Sequence, residues 1–138
     1  MKIWENVSLE ALPKIAQEIW EMLPPEGVVC FKGEMGAGKT TLINAITKVA
    51  GVIDETSSPT YSMVNEYHTK LGKKIYHFDC YRINTVAEAL DIGIEDYWYD
   101  KTISLVEWPE QVAEILPEKY TLITIKSQPD KLRNIELK

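Results

Sequence analysis

A chain of 138 residues with 45% apolar and 26% charged side chains has ordinary globular proportions, and one domain over residues 1–138 is expected, burying about two-thirds of its unfolded surface. Its net charge of −6 and pI of about 5.0 argue against a nucleic-acid binder acting alone, since such proteins gather basic patches and no basic stripe shows in the residue order. No apolar run approaches the length of a membrane span, no signal peptide opens the chain, and Cys30 and Cys80 lie in predicted strands without C-x-x-C spacing, so a cytoplasmic protein with reduced thiols is expected.

In chain order, Lys2 to Val7 reads as a short strand. Ser8 is placed to cap a helix whose apolar stripe runs through Leu12, Ile15, Ala16, Ile19, Trp20 and Leu23, and Pro13 fits if the regular helix starts near it. Pro24-Pro25-Glu26-Gly27 stops that helix, and Val28-Val29-Cys30-Phe31 follows as a buried strand. Next comes Gly33-Glu34-Met35-Gly36-Ala37-Gly38-Lys39-Thr40, with Thr41 behind it, which fits the G-x-x-x-x-G-K-[ST] phosphate-binding pattern. Leu42, Ile43, Ala45, Ile46, Val49 and Ala50 then recur at helical spacing, and Gly51 stands where a terminating glycine belongs. Strand, glycine loop and helix are the context the motif requires. Glycines let backbone N–H groups converge on phosphate oxygens, the helix start adds partial positive charge, Lys39 reaches the β- and γ-phosphates, and the Thr40 hydroxyl is a Mg²⁺ ligand. Binding of a nucleoside triphosphate is therefore expected.

Asp54 to Tyr61 is a hydroxyl-rich, proline-interrupted loop, a candidate to reach the γ-phosphate or the metal and equally readable as plain surface. Ser62 to Tyr67 and Lys74 to Tyr81 read as strands joined by a short turn at Leu71-Gly72-Lys73, hence an antiparallel hairpin. Alternation in the second strand puts Ile75, His77 and Asp79 on one face and Tyr76, Phe78 and Cys80 on the other. His77 reads as a packed or hydrogen-bonded strand residue rather than a catalyst. Asn84 is placed to cap a short helix through Val86, Ala89 and Leu90 that ends near Gly93. Ile94 to Asp100, with Tyr97-Trp98-Tyr99, suits core packing better than a lid. Thr102 to Val106 is a further buried strand ending in Glu107-Trp108-Pro109; Val112, Ile115 and Leu116 mark a short helix; and Tyr120 to Lys126 with Leu132 to Leu137 close the chain as a hairpin. Asp79 and Glu107 both end apolar strands, and local chemistry does not rank them as partners of Mg²⁺ or of the attacking water.

Taken together, these stretches resemble the TsaE family, small bacterial P-loop proteins of threonylcarbamoyladenosine synthesis on tRNA. Residues 33–41 resemble its G-x-x-G-A-G-K-T-T loop, Ser58-Pro59-Thr60-Tyr61 its S-P-T-[FY] segment, and Tyr76-His77-Phe78-Asp79-Cys80-Tyr81-Arg82 its H-x-D-x-Y-R stretch. Ile103 to Pro109 resembles its strand ending in E-W-P, and Arg133 to Leu137 its final strand. Cys80 departs from the leucine common in the family. The resemblance implies an α/β P-loop NTPase fold: a mixed sheet of parallel core strands and antiparallel hairpins, with helices on both faces. It implies ATP and Mg²⁺ as cofactors, with Thr40 and Glu107 on the metal and Asp79 beside the γ-phosphate, a metal contact direct or through water. Ser58 and Thr60 would sense the γ-phosphate, and Trp108, with residues near the first helix, would shape the nucleotide pocket. It also implies an ATPase, weak alone, that serves the TsaD–TsaB complex and meets tRNA only through it.

Two other readings compete. A small-molecule P-loop kinase usually carries an arginine-bearing lid, yet Arg82 and Arg133 are the only arginines and neither lies in an obvious lid insertion. A nucleotide-gated binding module would need ATP binding without turnover. A GTPase is disfavoured because no N-K-x-D segment is present.

Overall fold

The computed structural model describes residues 1–54 and 63–138. Its frame is a seven-stranded sheet in the order β1-β7-β6-β2-β5-β4-β3. The strands are β1 (Lys2–Val7), β2 (Gly27–Lys32), β3 (Val64–His68), β4 (Lys74–Asp79), β5 (Ile103–Glu107), β6 (Thr121–Ser127) and β7 (Arg133–Leu137). β6, β2, β5 and β4 run parallel to one another, while β3 adds to β4, β7 to β6 and β1 to β7 as antiparallel pairs. The expected mixed sheet is what the chain forms.

Its central strand shows why. Val28, Val29, Cys30 and Phe31 are all buried because β2 is paired on both edges and covered on both faces, the situation that selects an uninterrupted apolar run. Val29 and Phe31 point to one core, with Ala16 and Ile19 of α1 (Leu12–Met22) and Leu42, Ile43 and Ile46 of α2 (Lys39–Val49). Val28 and Cys30 point to the other, beneath α3 (Val86–Asp91), α4 (Ile94–Trp98) and the 3-10 segment Pro109–Ile115. Complete burial of Phe31, Phe78 or Leu105 stabilises the fold by about 1.5–3 kcal/mol each. The alternation expected in β4 also holds, with Ile75 in the first core and Tyr76, Phe78 and Cys80 in the second. The run Tyr97-Trp98 packs edge-on against Phe78, at ring distances of 5.5 and 6.2 Å, so α4 is core rather than lid.

Three local expectations are corrected. Thr85, not Asn84, caps α3: its hydroxyl accepts the Glu88 N–H, while the Glu88 carboxylate reaches back to the Asn84 N–H. Ser8 holds a turn ahead of α1, accepting the Ala11 N–H at 3.1 Å, and regular helix begins at Leu12 with Pro13 in its first turn. The segment expected as a helix through Val112 and Ile115 is 3-10, broken at Val112. Among the described residues no helix is long and apolar enough to cross a membrane.

The register brings the carboxyl ends of the core strands level: Phe31 lies beside Glu107, and Glu107 beside Asp79. In open α/β sheets this rim is where ligands bind.

Candidate nucleotide and metal site

Gly33–Gly38 leaves β2 at that rim and turns directly into α2. Gly33 is required by close approach: an added Cβ would lie 2.8 Å from the Ile125 carbonyl oxygen of β6 and 3.2 Å from the Ala37 Cβ. Gly33→Ala should therefore destabilise the protein by about 1–3 kcal/mol, read as a lower midpoint in urea denaturation. Gly38, at φ +100°, is left-handed and opens α2 without a side-chain cap, so the first-turn N–H groups remain available to the loop interior. The far side of the loop is held by Arg133 of β7, whose Nε donates to the Ala37 carbonyl at 2.6 Å.

Lys39 is only 6% exposed. Its Nζ donates to the Gly33 and Glu34 carbonyls and sits 3.7 Å from the centre of the Trp108 ring. Burial pulls the ammonium below its ordinary pKa, and the carboxylates of Glu107, Glu110 and Asp79 oppose that fall. Trp108 is itself in the left-handed region (φ 57°, ψ 53°), an uncommon conformation for a bulky residue, and its ring packs at a 48° tilt against Tyr81, with centres 4.9 Å apart.

Thr40 and Glu107 are in direct contact, the Thr40 hydroxyl donating to Glu107 Oε1 at 2.9 Å. Glu107 is 3% exposed, and its Oε2 lies 2.7 Å from Nε2 of the fully buried His77. His77 is thus the hydrogen-bonded strand residue expected. Asp79, half-buried at the end of β4, uses Oδ1 to accept the Tyr81 N–H at 3.1 Å. One of its oxygens therefore caps a turn, while the residue still lines the shared cavity.

That cavity, about 410 Å³, gathers Glu34, Met35, Gly36, Ala37, Gly38, Lys39, Thr40 and Thr41 of the loop with Asp79, Glu107, Trp108 and Arg133. A neighbouring hollow of about 590 Å³ shares Glu34, Met35, Ala37 and Trp108, adds Gly33, and extends over β6. Trp108 borders both. A third, small cavity joins Ser8, Leu9 and Leu12 near the first helix to Gly38 and Thr41. Every candidate from residues 33–41, with Asp79, Glu107 and Trp108, is thus within one neighbourhood. Ser58 and Thr60 lie outside the described residues. Sequence reasoning missed Arg133 at this site; its only signal was its scarcity, since just one other arginine occurs in the chain.

The donor chemistry fits a hard cation and a phosphate chain. Thr40 and Glu107 offer two oxygens side by side, and among the described residues no cluster of three or more His, Cys, Asp or Glu side chains forms a metal cage. Mg²⁺ is commonly held by one or two protein oxygens and completed by phosphates and water.

A strand, a glycine loop and a helix at the carboxyl rim of a mixed sheet define a P-loop protein. A family model described as threonylcarbamoyl adenosine biosynthesis protein TsaE matches residues 7–135, and the chain belongs to that family. Similar curated proteins include the tRNA threonylcarbamoyladenosine biosynthesis protein TsaE of Haemophilus influenzae, 44% identical over 110 residues, covering 80% of this chain and 68% of that one. The protein of the same name from Bacillus subtilis is 32% identical over 132 residues, covering 96% and 82%. Among solved structures, Bacillus subtilis YdiB superposes with a TM-score of 0.75 at 28% identity, over 97% of this chain and 82% of that one.

Proposed function

We propose that this protein is a Mg²⁺-dependent ATPase of tRNA threonylcarbamoyladenosine biosynthesis, cytoplasmic, serving a TsaD–TsaB complex and reaching tRNA only through it. The role in that biosynthesis follows from the family; hydrolysis is supported chiefly by the 2.9 Å contact between Thr40 and Glu107 beside the glycine loop. On this reading the loop amides and Lys39 bind the β- and γ-phosphoryl oxygens, and Lys39 exchanges its carbonyl partners for them. Thr40 and Glu107 hold Mg²⁺, which when bound withdraws charge from the phosphoryl oxygens. Asp79 orients water toward the γ-phosphorus, so that the new bond to phosphorus forms as the bond to the β,γ-bridging oxygen breaks, and the water proton passes to solvent. Trp108 excludes water from around Lys39. Ser58 and Thr60 are proposed to meet the γ-phosphate.

The net charge of −6 agrees with a partner, rather than this chain, holding tRNA. Weak turnover alone is expected, since neither arginine is disposed to neutralise the transferring group: Arg133 is committed to the Ala37 and Leu132 carbonyls, and Arg82 is exposed. The test is ATP hydrolysis with Mg²⁺ by the protein alone and with TsaD and TsaB. Stimulation by the pair supports the proposal. ATP binding and partner association with no turnover would replace it with a nucleotide-gated module.

A further inference from the structure

His77 has no part in the chemistry above, yet its environment is unlike that of a histidine buried for packing. It lies in the middle of β4, opposite Leu105 of β5 and Asn65 of β3. Both ring nitrogens are spent on side chains: Nε2 on Glu107 Oε2 at 2.7 Å, and Nδ1 on the Tyr67 hydroxyl at 3.1 Å. Tyr67 is buried, and its oxygen accepts from the Asn65 amide at 3.4 Å. Direction can be assigned at the Glu107 end of this chain. An ionised carboxylate can only accept, so the contact with Glu107 Oε2 places a ring hydrogen on Nε2. On the far side Glu107 Oε1 accepts from Thr40. A line of hydrogen bonds thus crosses three strands and ends on the carboxylate proposed to hold the metal.

We propose that His77 is the positioning residue for Glu107: the Tyr67 hydroxyl at Nδ1 holds the ring in place, and the Nε2–H pins Oε2 so that Oε1 stays turned toward Thr40. This rests on the ATPase reading of the site. A carboxylate buried to this degree in an apolar sheet needs a donor of its own to hold one rotamer, and a fixed outer partner tunes the metal it serves. The assignment concerns geometry and predicts a selective defect in the metal-dependent part of nucleotide binding.

The test is ADP affinity by calorimetry, measured with EDTA and again with Mg²⁺, so that the ratio isolates the tightening due to metal. In His77→Phe, which keeps a ring but no donor, affinity in EDTA should match wild type while the Mg²⁺ tightening falls by about tenfold to a hundredfold. His77→Gln, whose amide can reach Glu107 as Nε2 does, should restore most of it; a merely structural histidine predicts no such rescue. Should His77→Phe not fold, Tyr67→Phe carries the test and should show a smaller loss with the same selectivity. Unchanged tightening in the folded variant would overturn the role of His77 alone. Absence of Mg²⁺ tightening in the wild-type protein would instead overturn the ATPase reading beneath it.

Discussion

If the proposed ATPase reading holds, ATP turnover in the presence of TsaD and TsaB should fall by about 10²–10³-fold when Lys39 becomes methionine, the loss expected for removing one preorganised charge from the transition state. The same variant should keep or raise the melting temperature of the nucleotide-free protein. These two outcomes have one cause. Lys39 is nearly closed off from water, and its immediate partners are two carbonyl groups and an indole face rather than a carboxylate. A buried charge so partnered contributes little net stability, and an apolar side chain of similar length replaces it at no cost or with gain. Hydrolysis assays and thermal melting check both halves; turnover within about tenfold of wild type would remove Lys39 from the mechanism.

Glu107→Gln should behave oppositely in stability while also losing turnover. The amide presents one oxygen and one NH₂ where the carboxylate presented two acceptors. If the oxygen serves Thr40, the NH₂ meets the His77 N–H donor to donor; if it serves His77, the NH₂ stands where Thr40 now meets Oε1. Leaving one buried group unmatched costs about 1–3 kcal/mol, seen as a lower melting temperature. Hydrolysis should fall by about 10²–10³-fold, and raising Mg²⁺ should recover part of it if the metal is bound less tightly rather than excluded. Unchanged melting together with unchanged Mg²⁺ dependence would separate Glu107 from both the network and the metal.

Much of this architecture was legible in the residues. The apolar run 28–31, the glycine loop and the helical spacing behind it announced the strand, turn and helix, because each depends on local sterics and burial. The short turns at 71–73 and 127–130 marked the two hairpins for the same reason. In β4 the two-residue alternation placed His77 and Phe78 on opposite faces correctly. What stayed hidden depends on tertiary placement. Nothing local says that β6 lies beside β2, so neither the demand on Gly33 from the Ile125 carbonyl nor the reach of Arg133 to Ala37 was visible. The choice between Asn84 and Thr85 turned on which residue stands three before Glu88. Asp79 and Glu107 looked alike as strand-end acids; adjacent in register, they differ in partners, one turned to a backbone N–H and the other to Thr40 and His77.

The tie from Arg133 to Ala37 spans 96 residues. During translation the phosphate loop and its helix therefore emerge long before the strand that braces them, and β6, which crowds Gly33, is also still to come. A nascent chain stopped before β6 carries the whole glycine motif without the wall that shapes it. On the proposed reading, nucleotide would then stabilise the finished sheet, as a late lock on a fold assembled by strand pairing rather than a seed around which the early chain condenses.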